Sequence, residues 1–149
     1  MKALLPRPLF LLASFVVAVQ AKVYERCELA KRLKDHGMDS YQGYSLANWV
    51  CLAFFESSFD TEAVARNKDG THNFGIFQIN SGWWCTYSDT ASDNLCEIDC
   101  QELLHPGIEH DILCAKRIVE DPQGMAVWDE WKTHCENQNL TEWVKGCHL

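Results

Sequence analysis

Eight cysteines, Cys27, Cys51, Cys85, Cys96, Cys100, Cys114, Cys135 and Cys147, constrain this chain more than any other feature. An even count behind an apolar leader reads as four disulfides formed in an oxidising compartment. Zinc is a poor competitor: no C-x-x-C pair is present, and Cys96 and Cys100 have three residues between them. Counting leaves on the order of a hundred connectivities open. It still implies a small secreted domain stapled at several points.

The leader itself is "MKALLPRPLFLLASFVVAVQA", with Lys2 and Arg7 at a basic start, an apolar run to Val19 and small residues before the cut. This is the pattern of a secretory signal peptide over 1–21, cleaved after Ala21, which leaves 22–149 as one extracellular domain. The apolar run falls short of the ~20 residues a membrane span needs, and no other segment approaches it. Without Lys2 and Arg7 the chain keeps 11 basic residues against 21 acidic, a formal charge of −10. Nucleic acid and anionic membranes, which need a basic surface, are therefore poor partners, and no nucleic acid is expected as a ligand. A monomer without repeats or linkers is expected.

Periodicity divides the chain into helices around a small β segment. "CELAKRLKDHG" at 27–37 has helical spacing and stops at Gly37. "SLANWVCLAFFESS" predicts a central, largely buried helix capped by Ser45. "RNKDGTHNFGIFQINS" predicts an antiparallel hairpin turning at Asp69-Gly70. "IEHDILCAKRIVE" returns to helical period, with Glu109 and Asp111 in its first turn. The expected class is therefore α+β.

Chemistry concentrates in two stretches. Glu56, in "FFESSF", ends the second helix on a face shared with Trp49, Leu52 and Ala53. Apolar company and the negative end of a helix dipole both raise a carboxyl pKa, which suits a general acid near neutral pH. An exposed helix-end glutamate is the competing reading. "GWWC" sets Trp83 and Trp84 beside Gln78 and Asn80, a mixture of indole faces and amides that suits sugars. Core packing is the alternative for tryptophan, although neighbours on an extended chain point opposite ways, which argues against both being core. His105, His110 and Asp111 fit no zinc spacing and read as a solvated helix start. Ser45 in "GYSLA" lacks the closing glycine of a nucleophile elbow. Asn139 opens an N-glycosylation sequon, "NLT".

Taken together, "KVYERCELAKRL", "GYSLANWVC", "FESSFDTEA", "NKDGTHNFGIFQINS", "CAKRIV", "DPQGMAVW" and "WVKGC" resemble the c-type lysozyme and α-lactalbumin family over the whole of 22–149. The resemblance implies a lysozyme-like fold, with a helical lobe and a small β lobe flanking a sugar-binding cleft. It implies the bridges Cys27–Cys147, Cys51–Cys135, Cys85–Cys100 and Cys96–Cys114. Glu56 takes the role of general acid, and Gln78, Asn80, Trp83, Trp84, Asp121 and Trp128 line the cleft. Lysozyme is itself the standard example of a glutamate whose pKa rises beside a tryptophan, so that expectation comes with the family.

Two departures follow from the same comparison. Asn73 stands where wall-cleaving lysozymes carry their second acid, an aspartate; the amide can hydrogen-bond but cannot act as an anion. The family places Asp69 in the turn beyond the cleft centre. Of the three aspartates that ligate calcium in some members only Asp111 remains, beside His105 and His110, so neither metal nor cofactor is expected. Among its subgroups the chain is most similar to lysozyme-like paralogues, several associated with sperm, whose catalytic positions vary. Two functions are thus implied: weakened hydrolysis of β-1,4-linked N-acetylated amino-sugar glycans (peptidoglycan or chito-oligosaccharides), or glycan recognition without turnover, for instance between sperm and egg.

Overall fold

A computed structural model describes residues 4–14 and 21–149. Residues 15–19 of the expected leader's apolar run, the small Val19 among them, lie outside the described residues; 4–14 has no secondary structure and exposes its large side chains. Among the described residues no helix is long and apolar enough to cross a membrane.

Two helices build the first half. Helix α1 spans Arg26–Asp35 and buries Leu29, Ala30 and Leu33. It stops two residues before Gly37, whose φ of 78° lets the Met38 N–H return to the Leu33 carbonyl at 3.0 Å. Helix α2, Leu46–Ser57, buries every residue from Leu46 to Ala53 except Asn48 and packs between α1 and α4, Asp129–His134. Ser45 holds the cap position, but its hydroxyl accepts from the Asn48 amide at 2.9 Å. The Leu46 N–H goes instead to Asp39 Oδ1 at 3.1 Å, so a more distant side chain supplies the cap.

The β lobe is a three-stranded antiparallel sheet in the order β1 (Val64–Arg66), β2 (His72–Phe74), β3 (Ile79–Asn80). The Asp69-Gly70 turn falls between β1 and β2, as the sequence predicts. The register sets Asn73 opposite both Ala65 and Asn80. Gly75 lets this lobe close on the helical one: a Cβ there would lie 2.3 Å from the Leu103 carbonyl oxygen and 2.6 Å from Asp111 Oδ2.

Helix α3, Glu109–Val119, follows a loop and a 3₁₀ turn at Cys100–Leu104. All four disulfides form in the pairing the family implies. Cys27–Cys147 and Cys51–Cys135 close loops with sequence separations of 120 and 84, the long closures that restrict an unfolded chain most. The core, centred on Trp49, Leu52, Phe74, Phe77 and Ile112, is continuous across both lobes.

Candidate active-site cleft

Glu56 sits one residue before the end of α2, where the lobes meet. Two hydrogen bonds fix this junction. The Ser57 hydroxyl lies 2.7 Å from the Ile76 carbonyl oxygen, and the Trp128 indole N–H donates to the Phe77 carbonyl at 2.8 Å. Both acceptors belong to the turn between β2 and β3, so the helix end and the β lobe are held as one unit. Phe54 and Phe55 turn to Trp143, with ring centroids at 5.1 and 5.7 Å. The apolar wall beside Glu56 in the cleft is therefore Trp128 and not the phenylalanines adjacent in sequence.

The cleft encloses about 460 Å³ and brings together Glu56, Asn67, Asp69, Asn73, Gln78, Asn80, Trp83, Trp84 and Trp128, with Asp129 and Glu130 at one wall. Burial pushes the Glu56 carboxyl from 4.5 up to about 8, and the nearby charges of Glu130 and Asp129 push the same way. Glu56 thus keeps its proton at neutral pH. Sequence reasoning missed Asp129 and Glu130, although "WDEW" places two acids directly after the tryptophan assigned to Glu56. Asp69 also lines the cleft; its Oδ1 accepts from the Thr71 N–H and hydroxyl at 2.9 and 2.6 Å, which lowers its pKa.

Position 73 is built as an acceptor. Strand register brings the side chains of Asn73 and Asn80 onto the same face. Asn73 Oδ1 accepts from Asn67 Nδ2 at 3.0 Å and from Asn80 Nδ2 at 2.9 Å. The Asn73 amide nitrogen reaches only a 3.5 Å contact with Asn67 Oδ1. Asn80 is itself held, because its Oδ1 accepts from the Gly82 N–H at 2.7 Å. Gln78, at φ 51°, spends its amide N–H groups on the Ala63 and Gly75 carbonyls at 2.9 and 3.0 Å, bracing the turn.

The tryptophan pair divides as the sequence predicts, although it lies in a turn and not on an extended strand. Trp83 is 59% exposed and Trp84 only 6%. Both line the cleft and also a second cavity beside it, of about 460 Å³, shared with Leu95, Asp121, Pro122, Gln123 and Val127. Asp121 therefore stands at the side cavity and not in the central cleft, and it pairs with Arg117 Nη1 at 2.9 Å.

The expected solvated start of α3 is corrected at one residue. Asp111 is buried, at 1% exposure, with both carboxylate oxygens unpartnered among the described residues. Its neighbourhood includes Gly75 of the β lobe, whose closeness the helix pattern could not reveal. His105 and His110 are exposed, and His105 Nε2 lies 2.9 Å from Glu102. No group of three His, Cys, Asp or Glu side chains among the described residues is placed to hold a metal ion.

A disulfide-stapled α+β protein with an open cleft, a protonated glutamate on one wall and a ring of amides on another is a specific class of molecule. The C-type lysozyme/alpha-lactalbumin family model matches residues 22–147. Sperm acrosome-associated protein 5 of Bos taurus is 50% identical over 131 residues, covering 88% of this chain and 84% of that protein. Lysozyme C-2 of Sus scrofa is 50% identical over 150 residues, covering all of both. The crystal structure of lysozyme from Equus asinus superposes with a TM-score of 0.83 at 48% identity, covering 86% of this chain and all of that one. The chain belongs to the C-type lysozyme/α-lactalbumin family.

Proposed function

We propose that this is a secreted protein that binds β-1,4-linked N-acetylated amino-sugar chains and hydrolyses them weakly, with Glu56 as general acid. The observation that carries the reading is a half-buried glutamate with its proton retained to about pH 8, inside a cleft lined by amides and tryptophans. Glu56 would give that proton to the glycosidic oxygen as the C1–O bond breaks and its electron pair moves to the leaving oxygen. An anion at position 73 would stabilise the positive charge left on C1, and Asn73 supplies none. The carbonyl oxygen of the substrate's own N-acetyl group can take that place in some glycosidases. Water then opens the intermediate. Trp83, Trp84, Asn80 and Trp128 would seat the sugar rings, and Asp121 would contact the chain further out.

Recognition without turnover is the second reading. Its support is Asn73 itself, together with relatives named for association with the sperm acrosome. One experiment separates the two. Turnover of a neutral N-acetylated chito-oligosaccharide is measured for the mature protein and for Asn73→Asp. The two amide donors now on Asn73 Oδ1 would serve a carboxylate equally, so the variant is expected to gain on the order of 10²–10³ in rate, the scale of one electrostatic contact made in the transition state. Binding without turnover in either protein would favour recognition.

A further inference from the structure

The central cleft and the side cavity share Trp83, Trp84 and Val127, so they form one elongated groove. Its place and shape are set by the meeting of the lobes and by the tryptophans, independently of charge. Its charge, however, is one-sided. Glu56, Asp69, Asp129 and Glu130 all line the central part, and no lysine, arginine or histidine does so among the described residues. None of the four is paired with lysine or arginine among those residues; the one ion-pair partner is His134, 3.2 Å from Glu130. With Glu56 protonated, three anions remain along a concave, partly apolar cleft, Asp69 from the β lobe and Asp129 and Glu130 from the start of α4, and the concavity concentrates their field.

A neutral sugar leaves that repulsion in place, and a sugar bearing a carboxylate adds to it. A sugar ammonium relieves it, and brings three hydrogen-bond donors to acceptor-only groups. A bare divalent cation is a weaker match, because it needs several oxygens converging on one point and no such group is present among the described residues. The asparagine amides and the open indole of Trp83 call for a ring with hydroxyls.

Resting on the glycan-cleft reading above, we propose that the groove selects partly N-deacetylated amino-sugar chains, whose free 2-amino groups are cationic, over fully N-acetylated or carboxylate-bearing chains. Asp129 and Glu130, both exposed on the groove wall, are the specificity-determining residues. An acetylated unit remains the one cleaved, and the amine-bearing units bind beside it.

Calorimetric titration of the mature protein with two N-acetylglucosamine tetramers of equal length, one fully acetylated and one with two of its 2-amino groups free, tests this at mildly acidic pH. The partly deacetylated tetramer is expected to bind about tenfold more tightly at low salt, the sum of a few solvent-facing charge contacts. That advantage should shrink as salt rises, and Asp129→Asn/Glu130→Gln should bring the two affinities together. If the fully acetylated tetramer binds as well or better, at all salt concentrations, the selectivity is overturned while the glycan-cleft reading stands. If neither tetramer binds, both fail. Should the double variant not fold, the salt dependence of the unmodified protein decides.

Discussion

The raised Glu56 pKa makes a prediction about stability that needs no substrate. In the unfolded chain the carboxyl titrates near 4.5, and in the folded protein near 8. Because the folded value is the higher, the folded state holds its proton more firmly, and that advantage is complete below pH 4.5. It is lost progressively as pH rises through 8, beyond which burying the charge is a constant penalty. Each pKa unit corresponds to ~1.36 kcal/mol, so the shift corresponds to a maximum of about 5 kcal/mol, and water at the open side of the cleft reduces it to about 2–4. Glu56→Gln, which keeps the shape without the charge, should therefore gain on the parent by about that amount between pH 4.5 and 9. Urea unfolding of both proteins across this range measures the gap, and comparing the two cancels other titrating groups. A gap that stays constant with pH would refute the reasoning, since it would mean that Glu56 ionises in the fold as easily as out of it.

Three shorter tests probe other parts. Trp83→Ala should leave the melting temperature nearly unchanged, because the side chain is 59% exposed, yet weaken binding of an N-acetylated tetramer by up to about tenfold in a fluorescence titration. Asp111→Asn should stabilise the protein increasingly as pH rises, because burial lifts the Asp111 carboxyl well above its ordinary value and its ionised form is disfavoured in the fold; melts at pH 4 and 8 read the difference. Micromolar calcium should leave the melting temperature where it was, since His105 is engaged with Glu102 and offers no carboxylate; an upward shift would show that Asp111 finds oxygen partners on binding.

Much of the fold was legible because its signals are local. The period of α2, the glycine that stops α1 and the Asp69-Gly70 turn are all readable within a few residues. The misreadings share a cause in contacts across the chain. Leu46 takes its cap from Asp39 while the Ser45 hydroxyl serves Asn48. Asp111 looked solvated because a helix start usually is, but Gly75, 36 positions earlier, brings the β lobe against it. In the cleft, Glu56 could be singled out from its own segment, whereas its charged neighbours Asp129 and Glu130 come from the start of α4, and nothing in "FFESSF" announces them.

Asn73 joins these two kinds of information. Its departure from the acid of wall-cleaving lysozymes is visible in sequence only through the family resemblance, and by itself it could mean a dismantled site. The register changes that inference. Strands β2 and β3 set Asn73 and Asn80 side by side, the Gly82 N–H orients Asn80, and two amide donors converge on one oxygen of Asn73. Position 73 therefore stands inside an ordered, partly buried network in which Asn67 and Asn80 both donate to one oxygen of Asn73, and leaving such donors unmatched would cost about 1–3 kcal/mol each. The network remains suited to a negative oxygen while holding a neutral one. Meanwhile the negative charge of this cleft resides at Asp69, Asp129 and Glu130. On the proposed reading, the atom that would stabilise a transition state is neutral while the anions stand elsewhere on the cleft surface, and that distribution would favour recognition of a cationic glycan over rapid cleavage of a neutral one.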